Sequence, residues 1–287
     1  MIKQKLLVSF SGGRTSGYMA KHIIDNYSDK YDIKIVFANT GVEDNRTLEF
    51  VNNCDKIFGF NTTWVEAVVD HRPNKGTKHK VVTFETASRN GEPFKEVVKK
   101  YGLPNPTRRH CTREMKLQAI TSYLRSEGWK KGDYITAIGI RTDETRRVSD
   151  KAEAQYIVYP LVDWFPSDKQ DVNDWWKEQE FDLTIPNDAF GNCLFCYQKS
   201  FKKLIHVYKQ QPQVFNIALD LDKNYADGSL KRGSEKVIFM FRGNRSTEQL
   251  IEMANSSEDL YGTQLNIQDE DKDSGCSESC EMWKTEG

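Results

Sequence analysis

Two rhythms of apolar residues organise the first two-thirds of this chain. Residues 5–10 form a short β-branched and aromatic run that ends abruptly at Ser11-Gly12-Gly13, the pattern of a strand feeding a tight turn. From Ser16 onward Tyr18, Met19, His22 and Ile23 recur near helical spacing, so the glycine turn opens a helix. Residues 33–38 predict a second buried strand, residues 46–58 a helix with Leu48, Val51 and Ile57 on one face, and residues 62–69 a third strand. Strands alternating with helices predict an α/β fold, a doubly wound parallel sheet covered on both faces.

Residues 71–91 break the rhythm and predict an inserted loop or flap with a short apolar stretch at 81–84. Helical patterns return at 94–101 and 112–124, followed by a strand at 134–140, a closing segment at 160–164 and a helix at 171–179 bearing Trp175 and Trp176. Beyond about Thr184 the character changes to paired cysteines, a basic helix at 199–209 and a polar, acidic end. The expected organisation is a ligand-binding α/β domain over residues 1–165, a mainly helical extension over 166–270, and a cysteine-containing tail over 271–287 whose composition disfavours order.

Composition narrows the setting. Of 287 residues 38% are hydrophobic and 29% charged, with no run long enough to cross a bilayer, so no membrane partner is expected. Residues 1–10 lack the long apolar region of a secretory signal, which points to the cytoplasm. A net charge of -1 gives no global attraction to nucleic acid, and the basic stretches at 72–80 and 107–110 read first as solvated loops. In that compartment the six cysteines are thiols or metal ligands rather than a disulfide frame. Cys54 falls within an apolar helical pattern and is expected in the core.

The chemistry concentrates in four places. In an open α/β sheet, a glycine turn between strand and helix aims backbone N–H groups at an anion. Gly12 and Gly13 allow close approach, Ser11, Thr15 and Ser16 add hydroxyls, and Arg14 adds a charge. Neither the Gly-Lys-Ser/Thr ending of a Walker loop nor the wider spacing of a dinucleotide fold is present. Arg141, Asp143 and Glu144 follow a buried strand, where a guanidinium can grip phosphate and a carboxylate can hold Mg2+; a surface ion-pair turn is the alternative. Cys111 lies among Arg108, Arg109 and Lys116, charges that favour a thiolate or hold an anion. Cys193-Leu194-Phe195-Cys196 has the spacing for two thiolates on one tetrahedral metal, with Cys276, Cys280 or Cys111 to complete four ligands.

Phe10-Ser11-Gly12-Gly13-Arg14-Thr15-Ser16 resembles the PP-loop of the adenine nucleotide α-hydrolase-like group, with its Rossmann-like sheet. Ala38-Asn39-Thr40-Gly41, Arg109-His110-Cys111-Thr112-Arg113-Glu114-Met115-Lys116 and Gly139-Ile140-Arg141-Thr142-Asp143-Glu144 together resemble the phosphoadenosine phosphosulfate (PAPS) reductase branch. The likeness runs to about Lys203. It implies that the loop grips the phosphates of ATP or PAPS, with Asn39 and Thr40 near the adenosine and Gly139 and Arg141 approaching from the fourth strand. Arg109 and Lys116 flank the anion, and Cys111, Arg141 and Lys116 take the catalytic roles. Similarity to the DNA-phosphorothioation and tRNA-thiolation sulfurtransferases implies a 4Fe–4S cluster with Cys111 among its ligands, zinc being the competing metal. It also implies ATP-dependent adenylation and thiolation of an acceptor, nucleic acid among the candidates. Similarity to true PAPS reductases implies instead reduction of PAPS or adenylyl sulfate to sulfite with a thioredoxin-like reductant, Cys280 or Cys111 being the nucleophile. A noncatalytic nucleotide- and metal-binding module is the third reading, and a homodimer is one candidate assembly. ATP-cleaving PP-loop enzymes usually carry Asp where this chain has Thr15.

Overall fold

The computed structural model describes residues 3–228, 233 and 235–259. The fold is α/β and doubly wound. Six strands, β1 (Gln4–Phe10), β2 (Tyr31–Asn39), β3 (Thr63–Val69), β4 (Thr77–Val82), β5 (Tyr134–Ala137) and β6 (Ile157–Val158), lie in the order β4-β3-β2-β1-β5-β6. All neighbours are parallel except β3 and β4. The chain winds outward from β1 through β2 and β3 to one side, then returns to place β5 on the other. The switch in direction therefore falls between β1 and β5, where such sheets open a crevice at their carboxyl ends.

Strand alternation builds two cores. Leu6, Val8, Phe10, Ile35, Phe37 and Trp64 face α1 (Arg14–Tyr27), α2 (Asn45–Phe58) and α6 (Lys169–Lys177). Leu7, Val36, Val65 and Ala67 face α3 (Glu92–Tyr101) and α4 (Ala119–Ser126), and the same cluster continues outward from α3 into the late helices α7 (Phe201–Gln210), α8 (Phe215–Tyr225) and α9 (Thr247–Ser256). A single helical turn, α5 (Pro160–Asp163), buries Leu161 in the first of these cores. Among the described residues no helix is long and apolar enough to cross a membrane.

Four details depart from the pattern expected of the sequence. The segment read as a loop or flap contains β4, paired antiparallel with β3 from Trp64↔Val82 to Val69↔Thr77. As an outer strand it leaves Lys78, Lys80 and Val81 exposed, which hides its strand character behind polar residues. Ile57 is 46% exposed rather than buried beside Leu48. It lies nine positions from Leu48, half a turn out of phase at 100° per residue, and fully buried Cys54 takes the inward place. The helix expected at 112–124 begins as a π-helix, Thr112–Gln118, before continuing as α4. Finally, β5 stops at Ala137 because β6 offers two residues of pairing and the Ile140 N–H turns back to the Ile138 carbonyl at 3.0 Å.

One buried acid at the α8–α9 junction makes a stability prediction. Asp222, 9% exposed, accepts the Thr247 N–H at 2.6 Å, while its Oδ1 is buried without a hydrogen bond. Burial raises its pKa above the ordinary carboxylate range. The folded state therefore holds this proton more tightly than the unfolded chain does. The associated stability is complete below the ordinary pKa and is lost as pH rises through the raised one. Asp222→Asn is expected to exceed the parent by about 1 kcal/mol near neutral pH, with the gap closing toward about pH 4. Urea unfolding across that range checks it; a gap that widens in acid would contradict the assignment.

Candidate active site at the β1–β5 switch point

β1 runs into Ser11 and Gly12, where the backbone turns through φ +78°, the left-handed region. A Cβ at Gly12 would stand 2.8 Å from Thr47 Cγ2 and 3.2 Å from both Phe37 Cε2 and Val51 Cγ2, so packing as well as dihedral angle requires glycine. The turn is tied from within. Ser16 Oγ donates to the Gly13 carbonyl at 3.0 Å, accepts the Ser11 N–H at 3.2 Å and lies 2.9 Å from Ser11 Oγ. Gly13 is the N-cap of α1, which has no side-chain cap and no acidic residue in its first turn. The positive end of a 14-residue helix thus faces the turn without an internal counter-charge.

The return strand closes the other wall. Gly139 packs against the helix start so closely that a Cβ would stand 3.4 Å from Ser16 Cα. Two residues later Arg141 Nη1 donates to Thr15 Oγ1 at 3.1 Å. The same guanidinium holds Asp143 through two 2.9 Å hydrogen bonds and lies 3.5 Å from Glu144, which also pairs with Arg147. The Arg141 hydrogen bonds hold the Asp143 carboxyl below its ordinary range. Ser11, Gly12, Gly13, Thr15, Ser16, Gly139, Arg141, Asp143 and Glu144 therefore lie together at the β1–β5 switch point, although both carboxylates are engaged by arginines.

Other expected residues are engaged with the protein itself. Arg14 turns away from the loop and grips Asp182 with two 2.7 Å hydrogen bonds, adding the Leu183 carbonyl at 3.1 Å. It fastens the start of α1 to the extension, as does the Trp176 Nε1–H on the Arg14 carbonyl at 2.9 Å. Asn39 is fully buried: its amide donates to Glu66 Oε1 at 2.6 Å and to the Ser88 carbonyl at 2.9 Å, and its Oδ1 accepts the Gly41 N–H. Thr40, also fully buried, donates to Glu43 Oε1 at 2.6 Å and lies 3.4 Å from Cys193 Sγ. Their side chains thus serve as scaffold at the end of β2. Arg109 is exposed, with its Nε on the Pro106 carbonyl at 3.3 Å.

A second constellation forms at the end of β2. Cys193 is 6% exposed and pairs its backbone with Glu43, and the Leu194 N–H reaches the Val42 carbonyl at 2.9 Å. The Cys-x-x-Cys turn is closed by Cys196 N–H to the Cys193 carbonyl at 3.1 Å. Beneath it the ammonium of Lys199, itself 6% exposed, binds the carbonyls of Cys193 at 2.8 Å and Leu194 at 3.2 Å. Cys111 and Cys196, both half-buried, pack against the hydrophobic cluster that contains Cys193. Glu43 had no sequence motif to mark it. Burial raises its carboxyl pKa and the charge of Lys116, carried on the π-helix, opposes that rise. Such widened turns recur at functional sites.

A turn with two thiols, and a third cysteine on the same cluster, suit soft-metal ligation by chemistry. Among the described residues no group of three or more Cys, His, Asp or Glu side chains forms a metal centre. Cys276 and Cys280 lie outside the described residues. Cys54 is fully buried in the core and its thiol is pushed well above the ordinary range, which leaves it a packing residue.

No family model matches the chain. It is 33% identical over 285 residues to the nin region protein ORF290 of Escherichia phage lambda, covering 96% of this chain and 94% of that protein. Two proteins of Methanocaldococcus jannaschii are more distant. MJ0973 is 24% identical over 244 residues, 78% of this chain and 50% of that protein. MJ0066 is 27% identical over 144 residues, 50% of this chain and 24% of that protein.

Proposed function

Since the chain belongs to the same family as the phage lambda nin region protein ORF290, whose name states no activity, we propose a function from the site itself: ATP-dependent sulfur transfer to an acceptor. The observation that carries the nucleotide reading is the convergence of the glycine turn, the uncapped start of α1 and Arg141 at the β1–β5 switch point. Backbone N–H groups around Gly12 and Gly13 hold phosphate oxygens, while Arg141 and the Thr15 hydroxyl meet charge on the phosphate chain. Fixed donors of this kind stabilise charge that grows on the α-phosphate as it is attacked.

In the proposed reaction an acceptor oxygen attacks the α-phosphorus, forming one P–O bond while the α–β bond breaks and pyrophosphate leaves. A sulfur nucleophile then attacks the activated carbon; a C–S bond forms, the C–O bond breaks and AMP leaves. Cys111 carries the sulfur as a persulfide whose outer sulfur makes that C–S bond, and a thiol reductant then cleaves the S–S bond, releasing the thiolated product and the Cys111 thiol. Cys193 and Cys196 would hold a cluster or zinc ion only with further ligands from outside the described residues, and such a group would supply a docking point for sulfur. Asp143 and Glu144 keep Arg141 oriented, and either can pass to Mg2+ as the guanidinium turns to phosphate.

The test is calorimetric titration with ATP followed by assay of pyrophosphate and AMP, using anaerobically prepared, metal-replete protein and candidate acceptors. Association together with acceptor-dependent pyrophosphate release is expected. Sulfite from PAPS with reduced thioredoxin would assign reduction instead. Tight binding without turnover across acceptors would favour the noncatalytic module, and failure to bind any adenine nucleotide would remove the basis of the proposal.

A further inference from the structure

Charge in this chain is segregated. Residues 70–116 contain twelve lysines and arginines against five carboxylates, although the whole chain carries -1. Folding gathers these cations rather than dispersing them. Lys100 reaches from the end of α3 to the carbonyls of Asp70, at 2.6 Å, and Lys75, tying the β3–β4 hairpin to that helix. His110 bonds the Gly102 carbonyl at 2.8 Å, and its ring lies 5.9 Å from that of Tyr101, tying the Cys111 segment to the same end. Thr77, at the start of β4, donates to buried Glu114 on the π-helix, and Glu114 in turn pairs with Arg113 at 2.8 Å. Hairpin, helix end and cysteine segment thus form one flank around Cys111, with Arg72, Lys75, Lys78, Lys99, Arg109 and Arg113 exposed on it.

Twelve cations less five carboxylates leave the segment a formal +7. Asp70 pairs with Arg72, Glu114 with Arg113 and Glu96 with His71, so the exposed charge rests chiefly on Lys75, Lys78, Lys99 and Arg109. A run of cations borne on three segments, interleaved with the half-buried rings of Tyr101 and His110, matches a sugar-phosphate backbone with unstacked bases beside it. We infer that this flank is a docking surface for single-stranded nucleic acid, which it brings alongside Cys111. Naming nucleic acid as the acceptor class rests on the sulfur-transfer reading; the docking itself needs no ATP.

Phosphate contacts release counterions, so binding weakens steeply with salt, whereas stacking makes single strands preferred over duplex. The experiment is fluorescence anisotropy of the full chain, without ATP, on labelled single-stranded RNA, single-stranded DNA and duplex DNA of one sequence. Lys75→Glu/Lys78→Glu/Lys99→Glu is compared with Lys130→Glu/Lys131→Glu, lysines exposed elsewhere on the fold. The first variant is expected to bind a single strand about 30-fold more weakly at about 0.1 M salt, with a log–log salt slope shallower by about two. The second should stay within about threefold of the parent. Circular dichroism and ATP titration of each variant separate loss of this surface from loss of fold or of the nucleotide site. Absence of binding at low salt, equal losses in both variants, or tighter binding of polyglutamate than of nucleic acid would overturn the inference. Intact binding in a protein that fails to bind ATP would refute the nucleotide reading alone.

Discussion

Gly12→Ala is expected to cost about 2–5 kcal/mol of folding stability and to remove measurable ATP binding. Two penalties add. A non-glycine residue held in the left-handed region loses about 1–2 kcal/mol, and forcing a methyl into a packed core loses about 1–3 kcal/mol. The Gly12 site imposes both, since φ is +78° and the new Cβ would stand 2.8 Å from Thr47 Cγ2. Relief of the clash must move either the turn or α2, and both movements disturb the N–H groups that face the crevice. Gly13 provides the comparison, with an ordinary φ of -104° and a 3.7 Å clearance to Ser11 Oγ. Gly13→Ala is expected to stay within about 1 kcal/mol of the parent. Denaturant unfolding of both variants gives the answer, and equal stability of the two would show that the turn is not constrained as described.

The second large effect concerns the guanidinium. Arg141→Ala is expected to weaken ATP binding about 10- to 100-fold, the equivalent of roughly 1.5–3 kcal/mol for a hydrogen bond to a charged group. Arg141→Lys should recover little, because an ammonium cannot span Thr15 on one side and the Asp143 carboxylate on the other. Calorimetry at low and moderate salt measures the loss. An affinity unchanged in Arg141→Ala would confine this residue to the ion-pair turn that was the alternative reading of the sequence.

The features legible from sequence alone were those set by local rules. Apolar period, the Ser-Gly-Gly break and the return of a buried strand before Arg141 are properties of neighbouring residues, and together they mark the junction of β1 with the return strand β5. What escaped depends on partners far along the chain. Nothing near Arg14 announces Asp182, which lies 168 positions away. The family resemblance, not a local rule, puts Asn39 and Thr40 beside the adenosine, and Glu66, Ser88, Glu43 and Cys193 occupy their hydrogen-bonding groups. Glu43 carries no signal of its own, since burial beneath the Cys193 turn comes from residues about 150 positions later. β4 was missed for the opposite reason: an outer strand with one open edge has little call for apolar alternation, and Lys78 and Lys80 mask it.

The outer side of α3 has a bearing on how the protein is made. α3 and α4 cover the second sheet face, and α8 packs on α3 in turn, so the cluster reaches Phe215, Leu204 and Leu250 only late in the chain. A nascent chain leaving the ribosome can lay α3 and α4 on the strands early, while the apolar back of α3 stays wet until α8 emerges. During that interval the emerging polypeptide presents a half-dressed helical surface, the kind of intermediate that chaperones recognise, and its final collapse is timed by the ribosome rather than by the local speed of helix formation.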